Sequence, residues 1–185
     1  MHVLSAADCG LVCRNGGVVL YPTEGVWGLG CSPMDEGAVR RVLALKSREE
    51  AKGLILIAAS IEQVLPLVVI DALPPGRWDE IIASWPGPHT WVLPASDLVR
   101  PFVRGDYPSV AVRVTGHPAV REMCNAFGGA LVSTSANIAG EPSPLTLASV
   151  SAEISEGVDA VCAGETLGTG TASSIRDAVT GASLR

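Results

Sequence analysis

DEGAVRRVLALKSREEAKGLILI, residues 35–57, passes from an amphipathic pattern through a short basic stretch into an unbroken apolar run. Between Asp35 and Lys46 the apolar positions Val39, Val42, Leu43 and Leu45 recur with charges between them, which is the period of a helix with one buried face. After Gly53, Leu54-Ile55-Leu56-Ile57 is continuous rather than alternating, which suits a strand buried on both faces. A helix leading into such a strand is the repeating unit of an α/β fold. The basic cluster Lys46, Arg48 and Lys52 therefore falls on a helix-to-strand connection.

Upstream, Ser5 followed by Asp8 reads as a helix start and Asn15-Gly16-Gly17 as its end. Val18-Val19-Leu20-Tyr21 is then a strand that runs into a loop, Pro22-Thr23-Glu24-Gly25 through the glycine-rich Gly28-Leu29-Gly30. Downstream, Trp85-Pro86-Gly87-Pro88 is a rigid turn before a strand at Thr90-Trp91-Val92-Leu93, and Val110-Ala111-Val112-Arg113-Val114 alternates as another strand, with Arg113 inside it. His117-Pro118 opens a helix that Phe127-Gly128-Gly129 closes. Ala130-Leu131-Val132 is a short strand expected to break into a loop at Ser133-Thr134-Ser135-Ala136-Asn137. Thr146 to Glu156 is expected to be helical, Ala160-Val161-Cys162 a strand, and Ser174 to Leu184 two short strands about Thr180-Gly181. Together these predict one domain over residues 1–185, an α/β fold with helices around a mixed twisted sheet.

Composition removes several classes of function. The longest apolar run, Leu54 to Ala59, is far short of the roughly 20 residues a membrane helix needs, and no signal-peptide pattern opens the chain, so a soluble, cytoplasmic protein is expected. Five scattered cysteines, Cys9, Cys13, Cys31, Cys124 and Cys162, form no C-x-x-C pair and read as buried free thiols. His2, His89 and His117 are far apart, which leaves no local histidine metal motif. A net charge of -6 supplies no general attraction to nucleic acid, so any RNA contact would have to be local. Against that acidity the only two lysines, Lys46 and Lys52, share one segment with Arg48. Basic residues at a helix C-terminus also suit the helix dipole, worth about 0.3–1 kcal/mol, and at this point either explanation serves.

Three polar loops follow strands: Thr23-Glu24 through Gly30, Ser133 through Asn137, and Gly164 through Ser174. In open α/β sheets ligands sit where such loops converge at strand ends. Gly164-Glu165-Thr166-Leu167-Gly168-Thr169-Gly170-Thr171 lacks the G-x-x-x-x-G-K-[ST] pattern of a P-loop, and Gly25 to Gly30 lacks the third glycine of a dinucleotide fingerprint. Ser135 has no G-x-S-x-G elbow around it, which sets aside a serine hydrolase.

Tyr21-Pro22-Thr23-Glu24-Gly25-Val26-Trp27-Gly28-Leu29, Leu45-Lys46-Ser47-Arg48, Lys52-Gly53-Leu54, Trp85-Pro86-Gly87-Pro88, Ala111-Val112-Arg113-Val114 and Ser133-Thr134-Ser135-Ala136-Asn137 resemble the YrdC family nearly end to end. Its two separated motifs, K-x-R and S-x-N, stand here as Lys46-Ser47-Arg48 and Ser135-Ala136-Asn137. The resemblance implies a positively charged concave cavity in which L-threonine, bicarbonate and ATP, the last with Mg2+, give threonylcarbamoyl-adenylate and pyrophosphate. Other proteins would then use that product to build threonylcarbamoyladenosine in tRNA. By the same resemblance Lys46, Arg48, Ser135 and Asn137 would be catalytic and, with Lys52 and Arg185, would bind ATP. Thr23, Arg113 and Ser173 would hold threonine. The sequence departs from the family at Glu49, where many relatives have proline, at His89, at Ile138-Ala139-Gly140 and around Thr146. The competing expectation is a module that binds tRNA or double-stranded RNA without catalysis of its own.

Overall fold

The computed structural model describes residues 2–185. Nine strands lie among them: β1 (Val3–Leu4), β2 (Val19–Pro22), β3 (Trp27–Gly30), β4 (Ile55–Ala58), β5 (His89–Pro94), β6 (Ser109–Val114), β7 (Leu131–Ser135), β8 (Ala160–Cys162) and β9 (Ser174–Asp177). They form one mixed sheet in the order β1-β8-β2-β3-β7-β4-β6-β5-β9. Parallel pairs (β1 with β8, β8 with β2, β4 with β6, β5 with β9) flank an antiparallel centre of β2, β3, β7 and β4. The longer helices are α1 (Ala6–Arg14), α2 (Glu36–Leu45) and α6 (Pro118–Phe127); α3 (Ile61–Val64), α4 (Arg77–Ala83), α5 (Pro101–Arg104) and α7 (Ala152–Glu156) are short.

Alternation along the strands feeds two cores. Val18, Leu20, Leu56, Ala58, Val132 and Val161 belong to the larger core, where α2 contributes Val39, Val42 and Leu43. The intervening Val19, Tyr21, Ile57, Leu131, Ala160 and Cys162 belong to the smaller one, beneath Cys9 and Cys13 of α1 and Val120, Met123 and Cys124 of α6. Every second side chain of a strand faces the opposite side of the sheet, so a run that is apolar throughout must be covered on both. All five cysteines are free and buried.

The smaller core covers only part of its face. Farther along, the positions of matching parity carry small or polar side chains: Gly28 on β3, Ser133 and Ser135 on β7, Ser109, Ala111 and Arg113 on β6. These line an open cavity, while Val112 and Val114, on the other face of β6, pack into the larger core.

Several sequence expectations need correction. Gly28-Leu29-Gly30 is strand β3, not loop; its glycines lie against the Tyr21 ring, and a Cβ at Gly30 would meet Tyr21 Cε1 and the Val132 carbonyl at 2.7 Å. Ser133-Thr134-Ser135 stays in strand because backbone partners continue on both sides, Ile55 opposite Ser133 and Leu29 and Gly28 opposite Thr134 and Ser135. The helix expected over Thr146 to Glu156 is two pieces, a 3-10 turn at Leu147–Ser149 and α7. Thr146 and Ser151 each cap their own piece, and Val150 between them is extended. Of the two strands expected about Thr180-Gly181, only β9 forms, and the return segment makes a single bridge, Arg176 to Ser183.

Candidate active site

Asp35 caps α2 by accepting a hydrogen bond from the Ala38 N–H. At the other end the Ser47 N–H donates to the Ala44 carbonyl and the Arg48 N–H to the Leu43 carbonyl, the bond pair of a Schellman motif. Ser47 takes the left-handed position at φ 49°. That reversal turns Lys46 and Arg48 to different tasks. Lys46 is 2% exposed, and its Nζ donates to the carbonyls of Ser135 and Asn137 and, at 3.5 Å, to Asn137 Oδ1. Its ammonium thus ties the two sequence motifs to each other. The dipole explanation gives way to a buried cross-link.

Arg48 folds over the turn Glu50–Lys52, with Nε and Nη2 donating to the Gly53 carbonyl at 3.2 and 2.9 Å. Lys52 is exposed and meets Glu49 at 3.4 Å, so the glutamate that departs from the family pattern pairs with the next lysine. The Asn137 amide donates to the carbonyls of Ile138 and Glu141, which makes it the clamp of its own turn. The Ser135 hydroxyl has no partner among the described residues and lines the cavity.

Arg113 and Glu24 form a buried ion pair at 3.0 Å. Thr115 Oγ1 and the Gly116 N–H also donate to that carboxylate. Beside it, the long segment between β8 and β9 is strapped to the β2–β3 loop. The Leu167 N–H donates to the Thr23 carbonyl, the Thr169 N–H donates to the Glu24 carbonyl, and His117 Nε2 lies 3.0 Å from the Glu165 carbonyl. Gly25 lets the strap approach, since a Cβ there would overlap the Thr171 carbonyl. The strap delivers Ser173, whose hydroxyl pairs with Thr90 Oγ1 at 2.7 Å and whose carbonyl accepts from Arg185 Nε and Nη2. Arg185 is held by its backbone too, through bonds in both directions with Ile175.

These parts enclose a cavity of about 740 Å³. Thr23, Lys46, Arg48, Lys52, Arg113, Ser135, Asn137, Ser173 and Arg185 all line it, although they are drawn from across the chain. Arg104 and Tyr107 line it as well; neither was read from the sequence, because the four-residue α5 carries too little periodicity and Tyr107 lies in the bend after it. Glu24 was missed in another way: it stands in a quoted motif, but nothing local shows that it pairs with a residue 89 positions away. His89 lies outside the lining, against Ser174.

Six basic residues line the cavity against one acidic residue, Asp177, whose Oδ1 accepts from the Val179 and Thr180 N–H groups. Burial and then the charge of Arg48 push the Lys46 ammonium down to about 8. Burial lowers Arg48, and burial followed by the charges of Arg113 and Arg48 lowers Arg185. Cations this close, partly desolvated, gain most from a polyanion placed between them.

The family model Sua5_yciO_yrdC, described as "Telomere recombination", matches residues 12–185. A Vibrio campbellii protein named threonylcarbamoyl-AMP synthase is 49% identical over 172 residues, 93% of each chain. Among solved structures, a double variant of P. abyssi Sua5 superposes with a TM-score of 0.90 at 31% identity over 97% of this chain, and P. abyssi Sua5 complexed with L-threonine with 0.86 at 31% over 93%. The chain spans about half of those Sua5 chains, 55% and 50%. Sequence likeness over almost the whole length and a shared fold lead to the same conclusion: this chain belongs to the Sua5/YciO/YrdC family.

Proposed function

We propose that the protein is a threonylcarbamoyl-AMP synthase, a nucleotidyltransferase that converts L-threonine, bicarbonate and ATP to L-threonylcarbamoyl-adenylate and pyrophosphate. The observation that carries this reading is the convergence of K-x-R, S-x-N, Thr23, Arg113, Ser173 and Arg185 on one cavity rich in basic side chains. The relative of that name and the threonine complex of P. abyssi Sua5 support it.

The chemistry asks for alignment and charge more than for a nucleophile from the protein. Threonine's amine adds to bicarbonate with loss of water, and a carbamate oxygen then attacks the α-phosphorus as pyrophosphate leaves. Arg48, Lys52 and Arg185 would meet the phosphates. Lys46 would offset charge while holding the Ser135–Asn137 turn, and the Ser135 hydroxyl is free to bind a ligand oxygen. Thr23 and Ser173 would flank threonine and Arg113 would face its carboxylate. Mg2+ would come with the ATP phosphates; Asp177, the one acidic residue lining the cavity, already accepts from the Val179 and Thr180 N–H groups through Oδ1, so phosphate oxygens and water would supply most of the ligands. No helix of the described residues is long and apolar enough to cross a membrane, and a cytoplasmic enzyme serving the proteins that modify tRNA accords with that.

The test is pyrophosphate release from ATP with bicarbonate and Mg2+ present, with and without threonine, and with serine as a control. Release that requires threonine is expected. Its absence from folded protein, together with strongly salt-dependent RNA binding, would favour the RNA-binding module instead.

A further inference from the structure

Glu24 is 4% exposed and Arg113 6% exposed, yet only Arg113 lines the cavity. The Glu24 carboxylate meets three donors, all from the end of β6 and the residues just after it. Arg113 Nη1 lies 3.0 Å from Oε2, while Thr115 Oγ1 and the Gly116 N–H lie 2.7 and 2.9 Å from Oε1. Two of the three fix one oxygen, so the other is held toward Arg113. The arginine is less fully used. A guanidinium carries five N–H donors, and the buried Nε of Arg113 has no acceptor among the described residues.

Stability does not explain the whole arrangement, because a buried guanidinium nitrogen left without an acceptor costs free energy rather than supplying it. Fixed at Nη1, lining the cavity and with Nη2 without a partner among the described residues, Arg113 instead suits the receipt of a planar anion with two oxygens, the geometry a guanidinium matches best. We propose that Glu24 is a positioning residue that touches no substrate and sets the guanidinium of Arg113 for a carboxylate-type anion, either threonine's carboxylate or bicarbonate. This rests on the reading that the cavity takes those two substrates.

Glu24→Gln tests it. An amide at this position turns one contact into donor against donor, whichever way it lies, at Arg113 Nη1 or at the Gly116 N–H. The expected result is a rise of about tenfold in KM for one anionic substrate, with KM for ATP changed by less than about threefold, as for one charge-assisted contact misaligned. The substrate affected identifies the anion. Where it is threonine, calorimetric titration of L-threonine and of L-threoninol, which lacks the carboxylate, shows a preference in the wild type that Glu24→Gln loses. Equal rises in all three KM values, or none in any, overturn the proposal. If circular dichroism shows Glu24→Gln unfolded, Thr115→Val takes its place. It removes one hydrogen bond to the same carboxylate, and with it the acceptor of the His117 N–H, and is expected to give a smaller rise, again for one anion only. A wild type that neither binds threonine nor releases pyrophosphate defeats the proposed function itself, whereas a competent wild type matched by its variants defeats only the role of Glu24.

Discussion

Lys46 owes its depressed ammonium, near 8 against an ordinary 10.5, to burial and to the neighbouring Arg48. Between those values the unfolded chain binds more protons than the folded one, so stability rises with pH across the interval. Lys46→Met should lack that rise in chemical denaturation. Activity should run the other way if the charge is used: pyrophosphate release is expected to fall along a limb near pH 8. With only two lysines in the chain, the 13Cε resonance that Lys46→Met abolishes should titrate at the same place. At Glu24, burial acts to raise the carboxyl, but Arg113 and the hydrogen bonds from Thr115 and Gly116 outweigh it and leave the group below its ordinary 4.5. The stability it supplies is full above that value and is lost as pH falls through the folded one, so Glu24→Gln should flatten the acid limb of the stability profile. Arg48→Ala is expected to lower turnover by on the order of 10², as for lost charge stabilisation. Its stability should change by only about 1–2 kcal/mol, because the Gly53 carbonyl loses its Arg48 donors. Lys46 and Arg48 stand out in the sequence by composition; their different duties do not, since those depend on acceptors far along the chain.

The end of α2 shows what one element contributes. The helix, its Asp35 start and its stop at Lys46 follow from periodicity and capping, but a serine in the left-handed position is not what those rules lead one to expect, glycine being the usual choice. Ser47→Gly should therefore raise stability by up to about 1 kcal/mol in thermal melts, with turnover unchanged, because glycine adopts that conformation without a Cβ clash. At the strap between β8 and β9, Gly25→Ala should do the reverse. Its methyl would displace the Thr169–Thr171 segment and with it Ser173, so threonine binding should weaken by about tenfold or more in calorimetry, as when a bound group shifts by an ångström. A glycine in a loop is easy to see in sequence. The backbone that presses on it 146 residues later is not.

Across the whole molecule, one face of the sheet is divided between a core under α1 and α6 and an open cavity of about 740 Å³. The division assigns different consequences to substitutions on either side. Met123, fully buried in the smaller core, should lose about 2–5 kcal/mol of stability on change to alanine, measured by urea unfolding, while substrate KM values stay at wild type. The sequence by itself determined the fold class and the order of the main strands and helices, because apolar periodicity, capping and turn chemistry act over a few neighbouring positions and leave local signatures; the candidate residues came from the resemblance of its motifs to the YrdC family. It misjudged Gly28–Gly30, Ser133–Ser135 and the helix after Thr146, where pairing with distant strands or competing caps overrode local preference. Only the tertiary structure decided that Lys46 holds the Ser135–Asn137 turn, that Glu24 holds Arg113, and that Arg185 returns to Ser173. Each of those contacts joins groups distant in the chain, and a contact of that kind exists only once the sheet has brought its strand ends together.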